Sequence, residues 1–273
     1  MMGQGPGVCA GVGRNRVEIG ILGSLTVRVG GRNVPIRAWK QSCLLALLAL
    51  QPNQVVSSAE IVEVLWGGDP PMSHRNLVQT YVARLRRLMA IGTRDKRRIP
   101  SVIVSSRDGY RLEVGSDQLD LLKFTELAKR AANSADDSGE AYRLALDCWR
   151  GPVAADTACA LQTHPAAIAI SQKRRSLAIG YADIAMKARR FDAVVELLQA
   201  VSDSDPLDEA VCARLILALS GSGRQVAALE RYRRLRIRLT EEFGVEPGAE
   251  LRAAHGRVLR HEDPAVSGPL TAG

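Results

Sequence analysis

Three arginines and several hydrogen-bonding side chains share the short stretch NLVQTYVARLRRLM, residues 76–89. An α-helix turns by about 100° per residue, and this rotation divides the stretch into two separate faces. One face carries Leu77, Val78, Tyr81, Val82, Leu85, Leu88 and Met89, and the other carries Asn76, Gln79, Thr80, Ala83, Arg84, Arg86 and Arg87. We therefore predict an amphipathic helix whose polar face holds three guanidinium groups and no acidic residue.

The chemistry of this polar face suits double-stranded DNA. An arginine can pair with a phosphate or bidentately with guanine, an asparagine or glutamine with adenine, and a threonine methyl with a thymine methyl. The alternative is an ordinary solvated helix face, but such faces usually mix acidic and basic residues in i,i+4 pairs. The absence of acidic residues favours the interpretation as a DNA-binding helix.

The positive charge of the chain is concentrated in its first part. The whole chain of 273 residues has a formal net charge of +8. Residues 14–111 contain 16 Lys and Arg against 6 Asp and Glu, whereas residues 112–273 contain 21 against 23. This asymmetry indicates a nucleic-acid module followed by a nearly neutral region. A membrane-spanning segment is not expected, because the longest apolar run, residues 43–50, is too short.

The elements around the arginine-rich helix predict a known DNA-binding fold. Residues 17–22, 25–29 and 33–36 are expected to form an antiparallel sheet, with a turn at Gly30-Gly31. Three helices follow: residues 41–50, a helix capped by Ser57 and Glu60 that ends at Trp66, and the arginine-rich helix capped by Ser73. Strands at 101–105 and 110–114 then form a hairpin, which is the wing of the fold named below. This order predicts an OmpR-type winged helix-turn-helix whose third helix enters the major groove.

The remainder of the chain has a helical pattern throughout. Residues 189–195 align with residues 223–229 at an offset of 34, which is the tetratricopeptide period. The predicted fold class is α+β, a winged helix-turn-helix followed by an all-α tetratricopeptide-like domain. We expect a disordered tail at 1–15, the DNA-binding domain at 16–115, the helical domain at 119–262 and a flexible tail at 263–273.

Other charged and reactive residues have simpler interpretations. The basic run at 231–238 is flanked by acidic residues and is interpreted as a solvated helix face, with protein contact as the alternative. Residues 96–98 (Lys-Arg-Arg) could add nonspecific phosphate attraction. The five cysteines have neither disulfide-framework nor zinc spacing, and Cys43, Cys148 and Cys212 are expected in the core. We expect no metal and no cofactor.

Several motifs, taken together, resemble the Streptomyces antibiotic regulatory protein (SARP) family. They are ILGSLTV, KQSCLLALLALQPNQVVS, AEIVEVLWGGDPP, NLVQTYVARLRRLM and RDGYRL, then ALDCWRGPVAAD and GRQVAALERYRRLRIRLTEEFGVEPGAELRAAHGRVL. The second group resembles that family's bacterial transcriptional activation domain. The resemblance covers residues 17–261 and implies an activator of a secondary-metabolite (antibiotic) gene cluster. Such proteins bind direct repeats near the −35 promoter element, two protomers side by side, and recruit RNA polymerase including its sigma factor.

The resemblance also implies specific contact residues. On the third helix the DNA-contacting candidates are Asn76, Thr80, Tyr81, Arg84, Arg86 and Arg87. The wing adds Arg107 and Arg111, and Lys40 could contact the DNA backbone or simply be solvated. Two roles stay open for Tyr81. The helical projection places it on the apolar face, where it would pack in the core, whereas its position in the family motif implies a DNA contact. The loop Gly67, Gly68, Asp69, Pro70, Pro71 and Met72 matches the polymerase-contacting position of related winged helices.

Two departures and two competing functions remain. Ser42-Cys43 replaces the basic residue and alanine often found in the family, and we expect the protein to lack the ATPase and sensor modules of larger members. A helical-repeat adaptor with a nonspecific basic domain is the competing function. An enzyme is disfavoured, because the P-loop, nucleophile-elbow and zincin motifs are absent from the sequence. We expect a cytoplasmic, nucleoid-associated protein.

Overall fold

The computed structural model describes residues 17–90, 102–133, 139–157 and 159–265. The strands are β1 (Val17–Gly20), β2 (Thr26–Val29), β3 (Arg32–Asn33), β4 (Val55–Ser57), β5 (Ile103–Ser105) and β6 (Gly109–Leu112). The helices are α1 (Trp39–Leu50), α2 (Ser58–Trp66), α3 (His74–Met89), α4 (Asp120–Asn133), α5 (Glu140–Leu146), α6 (Cys159–Gln162), α7 (Pro165–Lys187), α8 (Asp192–Ser204), α9 (Glu209–Gly221), α10 (Gln225–Phe243) and α11 (Ala249–Leu259). The predicted order of sheet, three helices, hairpin and helical region is confirmed, as is the fold class.

The leading sheet is antiparallel, in the order β1-β2-β3. Gly30 and Gly31 join β2 to β3 with φ angles of 57° and 78°. Two consecutive positive φ angles are what a two-residue type I′ hairpin turn requires, and glycine adopts them without steric cost. The prediction for β3 was wrong in extent, because the strand covers Arg32–Asn33 and ends before Pro35, which has no N–H to donate.

The wing belongs to a second sheet, in the order β4-β6-β5, whose strand β4 the sequence analysis missed. Val56 of β4 pairs with Tyr110 of β6, and Ser57 pairs with Gly109. A side chain at Gly109 would place its Cβ only 1.9 Å from the Val56 carbonyl oxygen, so this strand contact requires glycine. Because β4 immediately precedes α2, the wing is hydrogen-bonded directly to the helix-turn-helix.

Helix α1 forms the centre of the winged-helix core. Every residue from Cys43 to Leu50 is buried, so the helix is covered on all sides. Helices α2 and α3 both contact α1, and α3 buries Val78, Val82, Leu85 and Met89. This burial confirms the apolar face predicted for α3, although Leu77, Tyr81 and Leu88 at its edge are only half-buried.

The predicted cap of α2 is confirmed in part. The Ser57 hydroxyl accepts a hydrogen bond from the Glu60 backbone N–H at 3.1 Å. The expectation that Glu60 reaches back to the start of the helix is wrong, because its carboxylate accepts from the Gln51 side chain and lies 3.0 Å from Nε2 of His164. Ser73 precedes α3, but its side chain makes no capping hydrogen bond.

The chain divides into two compact units. The first extends to Phe124 and also takes in Pro152–Ile168, and the second comprises Thr125–Gly151 and the chain from Ala169 onward. In the first unit the Ala154 N–H donates to the Ile21 carbonyl at 2.9 Å, and Asp156 accepts from the Leu25 N–H at 2.7 Å. Part of the range that the sequence analysis assigns to the helical domain therefore packs with the winged helix.

The second unit contains the helical repeat. Helix α9 contacts α8, α10 and α11 and is buried along most of its length. Arg189 and Gly223, which the 34-residue offset aligns, follow α7 and α9 with left-handed φ angles of 57° and 78°. The two helical hairpins therefore turn in the same way, as the repeat predicts.

The structure describes the side chains of three cysteines, Cys43, Cys148 and Cys212, which are reduced. Cys43 and Cys212 are buried as expected, and burial raises the pKa of Cys212 to about 11. The expectation of a core position was wrong for Cys148, which is half-buried and whose thiol donates to the Leu144 carbonyl. Within the described ranges, no cluster of three or more His, Cys, Asp or Glu could hold a metal ion, and no helix has the length and apolarity needed to span a membrane.

One side chain joins the turn after α1 to the chain beyond the wing. The Asn53 amide both donates to the Val114 carbonyl and accepts from the Val114 N–H, each at 3.0 Å. Asn53 has a φ of 65°. Glycine adopts this backbone conformation without strain, so Asn53→Gly removes only the two side-chain hydrogen bonds. We expect the free energy of unfolding, measured in urea, to fall by about 2 kcal/mol. Asn133→Ala, at the exposed end of α4, is the control; an equal effect of both changes would contradict this role.

Candidate nucleic-acid interface

The polar face of α3 is exposed and free of acidic residues. Asn76, Gln79, Thr80, Arg84 and Arg87 are all exposed. Arg84 and Arg87 have no ion-pair partner in the part of the chain that the structure describes. Among the described residues, no carboxylate neutralises either guanidinium group.

Helix α10 shows how an arginine-rich solvated face differs from this arrangement. Arg234 and Arg238 pair with Glu230 and Glu242 on the same helix at 2.6 and 3.1 Å. Arg236 pairs with Glu246, and Arg231 lies 3.7 Å from Asp203. These arginines are neutralised locally, which fits the interpretation of 231–238 as a solvated helix face.

The small polar residues of α3 differ in how much of their hydrogen-bonding capacity is used. The Thr80 hydroxyl donates to the Asn76 carbonyl at 2.8 Å, which leaves its methyl group and oxygen lone pairs available. The Asn76 and Gln79 amides make no hydrogen bond to another described residue. Two free amides one helical turn apart provide the donors and acceptors needed to read a base edge.

Tyr81 and Lys40 join an aromatic cluster in the winged-helix core. The ring of Tyr81 stacks with that of Trp66 at a centroid distance of 6.4 Å. The Lys40 ammonium donates to the Leu65 carbonyl at 2.7 Å and lies 4.4 Å from the Trp66 ring centroid. A lysine at the C-terminal end of a helix stabilises the carbonyls exposed there. Both residues therefore have structural contacts within the domain, beside the DNA contact that the sequence predicts for them.

Arg86 differs from Arg84 and Arg87 in its hydrogen bonds. Its Nε donates to the Ile103 carbonyl at 3.0 Å, and one terminal nitrogen donates to the Ser105 hydroxyl at 2.9 Å. The side chain is half-buried, whereas Arg84 and Arg87 are exposed. Periodicity placed all three arginines on one face, but it could not indicate that a wing strand lies against the edge of that face.

The wing carries two arginines, and only Arg111 has an ion-pair partner among the described residues. Arg107 is exposed in the turn and has no ion-pair partner among the described residues, while the neighbouring Asp108 carbonyl accepts from the Ser58 N–H at 2.8 Å. Arg111 pairs with Glu113, and its Nε is buried without a hydrogen-bond partner in the described chain. The segment Lys96 to Arg98 lies outside the described residues.

A groove runs between α2, α3 and the wing turn. Its lining includes Arg75, Gln79 and Arg107. Arg75 was not among the predicted contacts, because the stretch projected onto a helix began at Asn76, whereas α3 begins at His74. The groove therefore extends the polar face of α3 toward the wing.

The loop from Gly67 to Met72 connects α2 with α3. Gly67 ends α2 with a φ of 63°, and its N–H donates to the Glu63 carbonyl at 2.7 Å. Gly68, Asp69, Pro70, Pro71 and Met72 are exposed. Met72 has a relative accessibility of 102%, so its apolar side chain is entirely available to another molecule.

Comparison with known proteins gives two matching family models. The bacterial transcriptional activator domain matches residues 119–259, and the model described as transcriptional regulatory protein, C terminal, matches residues 37–112. The first match alone covers more than half of the chain. Together they include helices α1 to α3, the wing and the helical region up to Leu259, but not the leading sheet.

Several curated proteins are similar over almost the whole chain. Transcriptional regulatory protein MoaR1 of Mycobacterium tuberculosis is 33% identical over 95% of this chain and 86% of its own length. Transcriptional regulator RedD of Streptomyces coelicolor is 34% identical, with coverages of 93% and 73%. Regulatory protein DnrI of Streptomyces peucetius is 30% identical, with coverages of 92% and 94%.

One solved structure supports the same assignment. It is Mycobacterium tuberculosis EmbR in complex with a low affinity phosphopeptide, which is 31% identical to this chain with a TM-score of 0.69. The match covers 91% of this chain and 66% of the EmbR chain. The motifs, the fold and these relatives agree: the chain belongs to the Streptomyces antibiotic regulatory protein family of transcriptional regulators.

Proposed function

We propose that this regulator binds promoter DNA in a sequence-specific manner, with α3 in the major groove. The observation that carries the proposal is the exposed face of α3, on which Arg84 and Arg87 lack carboxylate partners in the described chain. Unpaired arginines beside free amides combine phosphate attraction with base recognition. In the proposed complex Asn76, Thr80, Arg84 and Arg87 face the DNA, and Arg107 contacts the backbone from the wing.

Three of the predicted DNA contacts also have partners within the domain. They are Lys40, Tyr81 and Arg111, and the case for their DNA contact rests on the sequence. Any DNA contact of Lys40 or Arg111 would be to a phosphate at the edge of the interface. Such contacts add affinity without adding sequence preference.

We further propose that the protein activates a secondary-metabolite gene cluster. Family membership and the similarity to RedD and DnrI, both named as regulators, support this role. The expected operator is a direct repeat near the −35 element, bound by two protomers side by side. The exposed loop from Gly67 to Met72 is the proposed contact with RNA polymerase and its sigma factor.

The recognition helix is tested by removing its unpaired arginines. We expect Arg84→Ala and Arg87→Ala each to cost about 1–3 kcal/mol of binding free energy and together to abolish a promoter mobility shift. Each lost phosphate contact should also reduce the salt-dependence slope of the logarithm of affinity by about 0.9. Circular dichroism should not change, because both side chains are exposed.

The matched control for these changes is Arg233→Ala. Arg233 is also exposed on an arginine-rich helix and has no ion-pair partner among the described residues. The Arg233→Ala substitution should leave promoter binding intact. If the α3 variants retain both affinity and preference for the promoter over random DNA, the recognition-helix assignment fails. If the wild type itself shows no such preference at moderate salt, the competing function, an adaptor with a nonspecific basic domain, is favoured.

The two interpretations of Tyr81 predict different results for removal of its hydroxyl. If stacking on Trp66 is its role, Tyr81→Phe keeps wild-type DNA affinity and thermal stability, whereas Tyr81→Ala lowers the melting temperature, with a loss of about 3 kcal/mol. We expect this result, because the hydroxyl has no hydrogen-bond partner in the described chain. A fall in promoter affinity for Tyr81→Phe at unchanged stability would instead identify a DNA contact.

The polymerase loop is tested by separating activation from DNA binding. We expect Met72→Ser to lower transcription from the target promoter in vitro by about fivefold, since an exposed apolar anchor is lost, while promoter affinity is unchanged. Val226→Ser, which alters another strongly exposed apolar residue, is the control. Normal activation by the Met72 variant and by an Asp69→Ala variant would exclude the loop as the polymerase contact.

A further inference from the structure

We propose that Arg86 is a positioning residue that holds the wing against the recognition helix, and that it does not itself contact DNA. This inference rests on the proposed DNA-binding function. Arg86 lies on α3, and its two hydrogen-bond partners, Ile103 and Ser105, lie on the wing strand β5. One side chain therefore links the element expected in the major groove to the element expected on the backbone.

The geometry uses the shape of the guanidinium group. Nε reaches the Ile103 carbonyl at 3.0 Å, while a terminal nitrogen reaches the Ser105 hydroxyl at 2.9 Å. Arginine presents these donors in a rigid planar fork, so two simultaneous bonds define both distance and orientation. A lysine ammonium at the end of a flexible chain cannot reproduce both bonds in this geometry.

The strand that Arg86 contacts is firmly attached to the domain. Ile103 is fully buried, and β5 pairs with β6 through Ile103–Leu112 and Ser105–Tyr110. Strand β6 in turn pairs with β4, which leads into α2. Arg86 adds a contact from α3 to β5, so that the wing sheet is tied to both helices of the helix-turn-helix. The recognition helix and the wing must be held at a fixed distance from each other, because small displacements weaken binding at a preorganised site.

The environment of Arg86 separates it from the DNA-facing arginines. Arg84 and Arg87 are exposed and lack partners among the described residues, whereas Arg86 is half-buried with two of its donor nitrogens in use. A guanidinium that left these partners for a phosphate would abandon the carbonyl of a buried residue. The neighbouring arginines can reach a phosphate without that loss.

Charge-conserving variants distinguish positioning from phosphate contact. A lysine can replace an arginine at a phosphate, so a phosphate-contacting Arg86 would let Arg86→Lys keep promoter affinity within about threefold of wild type. Arg86→Lys should instead lose about tenfold, nearly as much as Arg86→Ala, because both abolish the fork. Ser105→Ala, which leaves the guanidinium and its charge in place, should weaken binding in the same direction and to a smaller extent.

Hydrogen exchange in the DNA-free protein gives a readout that a phosphate contact would not change. We expect faster amide exchange in residues 102–112 for Arg86→Lys, Arg86→Ala and Ser105→Ala, and no change for Arg87→Lys. Exchange in α9 should be unaffected, which distinguishes loss of the wing contact from general unfolding. Wild-type affinity of Arg86→Lys, or wild-type exchange in the wing of all three variants, would overturn the proposal.

Failure of this inference and failure of the DNA-binding proposal give different results. If Arg84→Ala and Arg87→Ala abolish promoter binding while Arg86→Lys behaves like wild type, the recognition helix stands and only the positioning role is wrong. If the Arg84 and Arg87 variants bind normally, the DNA-binding proposal fails, and faster wing exchange in the Arg86 variants would then report a purely structural contact.

Discussion

Burial of α1 is the constraint on which the rest of the winged helix depends. A helix covered on every side from Cys43 to Leu50 needs neighbours around its whole circumference, and α2, α3 and β6 all contact it. Helix α3 meets this requirement with Val78, Val82 and Leu85, so its opposite face must point to solvent. Periodicity and burial together therefore determine which side of α3 presents its arginines.

Electrostatics then distinguishes two helices of similar composition. Arginines in α10 are paired with Glu230, Glu242 and Glu246, and such exposed pairs contribute little to stability but cancel the local charge. Helix α3 has no acidic residue, so no carboxylate of the helix itself offsets the positive charge of its exposed face. An uncompensated basic face attracts polyanions over a distance of about a Debye length, roughly 8 Å at physiological salt.

The sequence predicted those features of fold and site that depend on local information. The amphipathic division of α3, the Gly30-Gly31 turn and the helical repeat all arise from spacing within a few dozen residues. Features that depend on distant partners could not be predicted from local patterns. Residues 55–57 form strand β4 because β6 lies beside them. Glu60 contacts His164, which is 104 residues away in the sequence, and Arg86 donates a hydrogen bond to β5. The packing of Pro152–Ile168 in the first unit was missed for the same reason. At the site, residue types identified the arginines of α3, but only the structure separates Arg84 and Arg87, which have no ion-pair partner among the described residues, from Arg86, which is hydrogen-bonded to β5.

The proposed function depends on the acid-free face of α3 reading bases in the major groove. Methylation interference on the promoter beside the protein's own gene tests it most directly, since a methyl group on guanine N7 blocks the position that an arginine would approach. We expect methylated guanines to prevent binding at one cluster in each direct repeat, with the clusters on the same face of the duplex. Binding that is insensitive to guanine methylation, together with equal affinity for random DNA, would contradict it.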